Sequence, residues 1–253
     1  MGKVKDYIMD RLNREGALLF SVIDPLDYKT LDDAVKTAKE ANEGGSDVIL
    51  IGGSTGVQGP LLDEVAKRIK EEINIPVVLF PGNIATLTRY ADATYFMSLL
   101  NSRNPYWITR AQMLAAPVIK RLNIEPLSVA YVVVEPGGTV GWVGDVDLIP
   151  RKKPKIAAAF ALAAETMGFS FVLTDAGSNP HNGHIPLDFI SYVRRAIKIP
   201  YIVAGGIRTP EQAKQIVEHG ADILQIGTAF EKSGSRDKIK EFVKAIREGA
   251  KKR

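Results

Sequence analysis

A (β/α)8 barrel is the fold class this sequence predicts, and three observations carry it. Eight short apolar runs alternate with longer segments of helical period along the 253 residues. Most of the runs are almost continuously apolar and rich in Val and Ile, the composition of parallel strands covered on both faces. The length also suits one α/β barrel, so residues 1–253 are read as a single domain. A doubly wound open sheet competes with this class. It usually carries a glycine-rich turn after its first strand, and "VIDPLDYKT" lacks the GxGxxG spacing.

Taken in order, the chain opens on Met1 to Gly16, an amphipathic helix with Val4, Tyr7, Ile8 and Leu12 on one side. Asp6, Asp10 and Glu15, with no apolar central region, argue against a secretory signal. The strand runs follow at 18–24, 47–53, 76–82, 94–100, 128–136, 169–176, 200–206 and 221–230. Between the first two, "TLDDAVKTAKEANEGG" reads as a helix capped by Thr30 and stopped at Gly44, with Asp32 and Asp33 in its first turn. Between Gly82 and Thr94 only "NIATLTRYADA" is available, fewer residues than a crossover helix and its two loops normally need. The third outer helix is therefore expected to be stunted or replaced, leaving a gap in the wall that would admit a long apolar substrate. The connection after the fifth strand, "GGTVGWVGDVDLIPRKKPK", is long and rich in glycine and is expected to form a mobile lid. "AAAFALAA" reads as a packed helix face.

Composition narrows the function classes. The chain has no cysteine, which excludes disulfides, thiolate nucleophiles and Cys-based metal sites. No stretch is long and apolar enough for a transmembrane helix, and a cytoplasmic protein is expected. A net charge of +4 is too mild to argue for nucleic acid, and none is expected as a partner. The densest basic run, "RKKPK" at 151–155, reads as a solvated loop or a rim attracting an anionic substrate.

In such barrels the chemistry gathers at the C-terminal ends of the strands. The residues there are Asp24, Gly52-Gly53-Ser54, Pro81-Gly82-Asn83, Glu135, Asp175 with Ser178, Gly205-Gly206, and Gly227-Thr228. The last two pairs carry the sharpest signal. Glycines in "VAGGIRTPEQA" and "IGTAF" let backbone N–H groups approach an anion, the usual phosphate cradle of barrel enzymes. Arg208 beside them either neutralises the phosphate or faces solvent. Asp24 is either a turn residue or, with Ser54, a hard-oxygen ligand for Mg²⁺. Asp175 follows a buried strand and precedes "AGS", where an unpaired carboxylate is costly and a site role is expected. His181 and His184 in "HNGH" have no third partner at metal-site spacing and read as loop residues. His219 suits a helix C-terminus.

Read together, "IDP" (23–25), "LIGGSTGVQGP" (50–60), "LFPGN" (79–83), "SLLNSRNPYWI" (98–108), "EPGGTVGWVGD" (135–145), "IPRKKPKIAAAFALAAE" and "VAGGIRTPEQA" resemble the geranylgeranylglyceryl phosphate synthase family. The resemblance spans about Gly16 to Phe230. It implies a modified (β/α)8 barrel and a Mg²⁺-dependent prenyltransferase joining geranylgeranyl diphosphate to sn-glycerol 1-phosphate, the first ether bond of archaeal membrane lipids. It further implies that Asp24 and Ser54 hold Mg²⁺, and that Gly205, Gly206, Gly227 and Thr228 bind the glycerol phosphate. A homo-oligomer and peripheral membrane contact through the prenyl substrate are also expected.

The family pattern Tyr-Leu-Glu-Ala-Gly-Ser-Gly stands here as Leu173-Thr174-Asp175-Ala176-Gly177-Ser178-Asn179, the rest of the expected substrate site. The acid is one methylene shorter, and the phenol and the last glycine are lost. Asp175 is expected to act as general base on the glycerol C3 hydroxyl. Three alternatives stand beside this: a barrel enzyme with another prenyl length or phosphorylated acceptor, an isomerase or lyase of sugar phosphates, and a non-catalytic phosphoglycerol-binding paralogue.

Overall fold

Eight parallel strands follow one another around a closed ring, the first pairing with the last. The computed structural model describes residues 2–53, 55–231 and 235–253. The strands are β1 (Leu18–Ile23), β2 (Val48–Gly53), β3 (Val77–Pro81), β4 (Ala93–Leu99), β5 (Glu125–Val133), β6 (Phe171–Asp175), β7 (Tyr201–Ala204) and β8 (Ile223–Ile226). Side chains of a strand alternate between faces, so one set fills the ring and the other meets the helices. Leu18, Phe20, Leu50, Val129, Phe171, Leu173 and Ile202 belong to the inner cluster, whereas Leu19, Ile49, Val172, Val203 and Leu224 belong to the outer one.

Outside the ring lie α2 (Leu31–Glu43), α3 (Gly59–Glu72), α4 (Ala111–Leu122), α6 (Pro154–Thr166), α7 (Leu187–Ala196), α8 (Pro210–Glu218) and α9 (Ser235–Ala250). Thr30 caps α2 by accepting the Asp33 N–H, and Gly44 ends it. Helix α6 buries Ala157, Ala158, Ala161 and Ala164, small side chains that let it lie close on the sheet. His219 closes α8, its Nδ1 2.7 Å from the Gln215 carbonyl.

The first helix, α1 (Lys3–Glu15), shuts the N-terminal end of the ring. Its Val4 and Ile8 pack into the inner cluster. Two otherwise unpaired N–H groups of its first turn, Val4 and Lys5, donate to the Glu125 carboxylate at 2.7 and 2.9 Å. Asp47, fully buried, accepts from Arg11 of α1 and Arg247 of α9, both at 2.8 Å, and from the Leu19 N–H at 2.9 Å. A buried carboxylate persists only when paired and hydrogen-bonded, and here the pairing ties both terminal helices to the floor.

No helix stands between β3 and β4 among the described residues, as the short connection predicts. Residues 82–92 run in turns, with Asn83 Oδ1 accepting the Ala85 N–H at 2.7 Å. Beyond β4 the chain enters α4 through a π-helical turn, Tyr106–Arg110. Such turns cluster at functional sites.

The connection after β5, expected to form a mobile lid, lines the cavity through Thr139, Val140 and Val143 and carries defined structure. It contains α5 (Gly138–Val143), and β-bridges pair Val146 with Ser102 and Ile149 with Val134. Arg151 then donates to the carbonyls of Asn182 (3.2 Å) and His184 (2.6 Å), fastening this segment to the connection after β6. The first residue of the basic run is thus engaged with main-chain oxygens, while Lys152 and Lys153 are exposed. Among the described residues, no helix is long and apolar enough to cross a membrane.

Candidate active site

The C-terminal ends of the strands enclose a cavity of about 610 Å³ with two chemically different halves. One half is lined by Asp24, Asp175, Gly177, Ser178, Asn179, Gly205, Gly206, Arg208, Gly227 and Thr228. The other is apolar, with Phe80, Leu87, Met97, Trp107, Ala115 and Ile119. This second half passes between the helix-free 82–92 segment and α4, the place where the outer ring is incomplete.

Asp175 ends β6 on the inner face and is 7 % exposed. Its Oδ1 accepts the Gly177 N–H at 2.7 Å and its Oδ2 accepts the Tyr131 hydroxyl at 2.6 Å. Burial pushes its carboxyl above the ordinary aspartate range, and these two hydrogen bonds pull the other way. Beneath it, Tyr131, Tyr95 and Gln225 form a polar layer, with Phe80 edge-on to Tyr95 at 5.5 Å.

The loop after β7 crosses this carboxylate at close range. A Cβ on Gly205 would lie 2.8 Å from Asp175 Oδ1 and 2.8 Å from the Gly177 carbonyl, and its φ of 86° suits only glycine well. Outside the strand ladders, the N–H groups of Gly205, Gly206, Gly227 and Thr228 donate to no backbone acceptor among the described residues. They are available to an anion. Arg208 lines the cavity rim and is also exposed to solvent, so the structure is compatible with both of its sequence readings.

Not every residue of the 173–179 stretch reaches the cavity. Leu173 points into the ring but is fully buried below Asp175, and strand alternation turns Thr174 outward, where its hydroxyl pairs with Tyr201 at 2.7 Å. Ala176 is fully buried in the outer cluster. None of these three expected contact residues lines the cavity. Glu135 also departs from expectation: it lies beyond β5, outside the cavity lining, and its Oε2 faces the Arg151 N–H at 3.3 Å. His181 and His184 lie in the connection after β6, with His184 Nδ1 2.7 Å from the Ile185 carbonyl.

Asp24 follows β1 and accepts the Leu26 N–H at 3.1 Å, so it serves the turn, and it also lines the cavity. Burial pushes its carboxyl up to about 6, with the Asp27 charge adding to the effect. A Cβ on Gly53 would fall 3.1 and 3.2 Å from its two oxygens; glycine keeps that space open. Ser54, its expected companion, lies outside the described residues. Among the described residues, no group of three His, Asp or Glu side chains gathers around one point. The donor set fits a hard cation that takes one carboxylate and draws its other oxygens from water and phosphate, which is the habit of Mg²⁺.

Sequence reading missed Asp27, Glu231, Tyr131 and Gln225, all on the cavity wall. Gln225 did leave a trace, a polar side chain inside the apolar run "DILQIG". Tyr131 left none, since its neighbour in the site is 44 residues away.

The sequence pattern of the PcrB family matches residues 11–246. A geranylgeranylglyceryl phosphate synthase of Thermococcus sibiricus is 51% identical over 251 residues, covering 99% of this chain and 97% of that protein. The crystal structure of (S)-3-O-geranylgeranylglyceryl phosphate synthase from Thermoplasma acidophilum, in complex with substrate sn-glycerol-1-phosphate, superposes with a TM-score of 0.90 at 36% identity, covering 98% of this chain and 99% of that one. The wild-type synthase of Thermoplasma volcanium gives a TM-score of 0.92 at 40% identity over 98% of each chain.

Proposed function

The chain belongs to the PcrB family, and on that premise we propose that it is a Mg²⁺-dependent prenyltransferase joining geranylgeranyl diphosphate to the C3 hydroxyl of sn-glycerol 1-phosphate. One observation carries the reading: a single cavity holds an anion cradle and a buried carboxylate at one end and an apolar groove at the other. That division matches a small phosphorylated alcohol meeting a long hydrocarbon. An isomerase or lyase of sugar phosphates would leave the apolar half without a use.

The backbone N–H groups of Gly205, Gly206, Gly227 and Thr228 hold the acceptor phosphate, with Arg208 supplying charge. This places the glycerol C3 hydroxyl toward Asp175, which accepts its proton as the oxygen attacks the allylic carbon. The new C–O bond forms while the bond from that carbon to the diphosphate breaks, and the diphosphate leaves with the electron pair. Asp24 is the residue that would hold the cation, whose positive charge, when bound, neutralises the leaving diphosphate. Phe80, Leu87, Trp107 and Ile119 take the tail, where each buried CH₂ contributes about 0.8 kcal/mol.

The test is turnover of radiolabelled geranylgeranyl diphosphate with sn-glycerol 1-phosphate, run with Mg²⁺ and with chelator. A chloroform-extractable ether product only with Mg²⁺ is expected. Its absence from the complete mixture would defeat the proposal, and binding of the phosphoglycerol without turnover would mark a non-catalytic paralogue.

A further inference from the structure

Asp175 is the only carboxylate among the described residues that meets a phenol inside the ring, and the contact comes from the neighbouring strand. Tyr131 stands on β5 directly opposite Leu173 in the ladder. Leu173 offers no polar atom, so the hydroxyl beside the carboxylate is delivered across the β5–β6 register. The phenol ring is 2 % exposed and packs against Phe80 at a centroid distance of 5.8 Å, which fixes the direction of its O–H. Burial and the adjacent Asp175 charge push the Tyr131 hydroxyl well above its ordinary range, so it remains a donor at any working pH.

A carboxylate on a short side chain can rotate about its last bond, and rotation would sweep its lone pairs away from a substrate. Here two donors, Gly177 N–H on Oδ1 and Tyr131 O–H on Oδ2, set the plane from opposite sides. Each oxygen keeps further acceptor capacity, and Asp175 lines the cavity.

We propose that Tyr131 is the positioning residue for Asp175, holding the carboxylate ionised and in the plane in which its free lone pair meets the acceptor hydroxyl. The inference rests on the reading of Asp175 as proton acceptor and names the residue that makes it one. The other titratable groups facing this cavity are Tyr95 from β4, Asp24 and Asp27 after β1, Arg208 after β7, and Glu231 and Lys238 after β8. Among the described side chains, only Tyr131 is hydrogen-bonded to Asp175.

The experiment is a ¹³C NMR titration of the Asp175 carboxyl in the full chain, for the parent and for Tyr131→Phe, beside pH profiles of kcat/KM. The Phe variant keeps the ring and its packing and removes only the donor. Its carboxyl midpoint should rise by about one pH unit, and the acid limb of kcat/KM should rise with it. Site-specific 3,5-difluorotyrosine at position 131, a stronger donor, should move both in the opposite direction. A purely structural role would give no shift of opposite sign in the two proteins. An unmoved midpoint in both overturns the inference even if transfer activity is present. Opposite shifts in a parent that makes no ether product leave the inference standing and remove the transferase reading instead. Should the Phe variant fail to fold, the fluorinated protein decides alone.

Discussion

Arg208 reaches from the loop after β7 to Asn179 of the adjacent strand's loop, its Nη2 2.7 Å from Asn179 Oδ1 and 3.1 Å from the Pro180 carbonyl. The contact joins the loop after β7 to the loop after β6 at the rim of the cavity. Asn179 holds it from a left-handed backbone, φ 45°, a region asparagine tolerates better than other side chains. The resembled pattern has glycine here, and the conformation accounts for both residues.

Asn179→Gly should therefore fold normally but raise KM for glycerol phosphate, because Arg208 loses its side-chain acceptor. Asn179→Val should lose about 1–2 kcal/mol of stability from the left-handed conformation. Urea unfolding and initial-rate kinetics separate the two effects.

Asp175→Asn should lower kcat by roughly 10²–10⁴, the usual contribution of a general base. Its melting temperature should not fall much, since the variant no longer buries a charge. An Asn variant as fast as its parent would remove the proton-acceptor role.

Gly205→Ala should abolish binding of sn-glycerol 1-phosphate, measured by calorimetry. The added methyl meets Asp175 Oδ1 and the Gly177 carbonyl at 2.8 Å, and the φ of 86° adds strain of about 1–3 kcal/mol.

Thermal melts with and without Mg²⁺ test Asp24. Its folded-state carboxyl titrates at about 6, above the unfolded value, so the protein binds this proton more tightly when folded. Stability without metal should fall as pH rises through that interval, and Asp24→Asn should relieve the loss. Mg²⁺ competes for the ionised form, so its stabilising effect should be full at pH 8 and fade as the pH drops below about 6. Asp24→Asn should show no Mg²⁺ effect at either pH.

Arg151→Ala should destabilise the chain by about 1–3 kcal/mol, because the carbonyls of Asn182 and His184 lose a charged donor. Proteolysis should then begin near residues 180–185. Protection equal to that of the parent would show that the fastening is dispensable.

The barrel was legible because parallel strands buried on both faces write themselves as apolar runs, and because a connection too short for a helix is a matter of counting. Strand ends were less legible, since an apolar residue can be buried without pairing. The run at 128–136 starts late and ends late: the strand begins at Glu125, whose carboxylate caps α1, and Val134 instead forms a bridge to Ile149. The run at 221–230 overshoots for a similar reason, as Phe230 packs on Phe242 of α9 at 5.2 Å, four residues beyond Ile226.

In the site, the strand-tip residues could be read from position alone. Which of them face inward could not be read without register, and register is what separates Asp175 from Thr174. Contacts such as Tyr131 with Asp175 arise from ring closure, which no local pattern encodes.

With α1 packed into the floor and, among the described residues, no helix covering the flank between β3 and β4, the vessel has an opening at its side as well as above. Under the proposed reaction this gives water-loving and oil-loving traffic separate doorways. A tail can remain threaded through the side while small anions come and go overhead, so the two exchanges need not wait for each other.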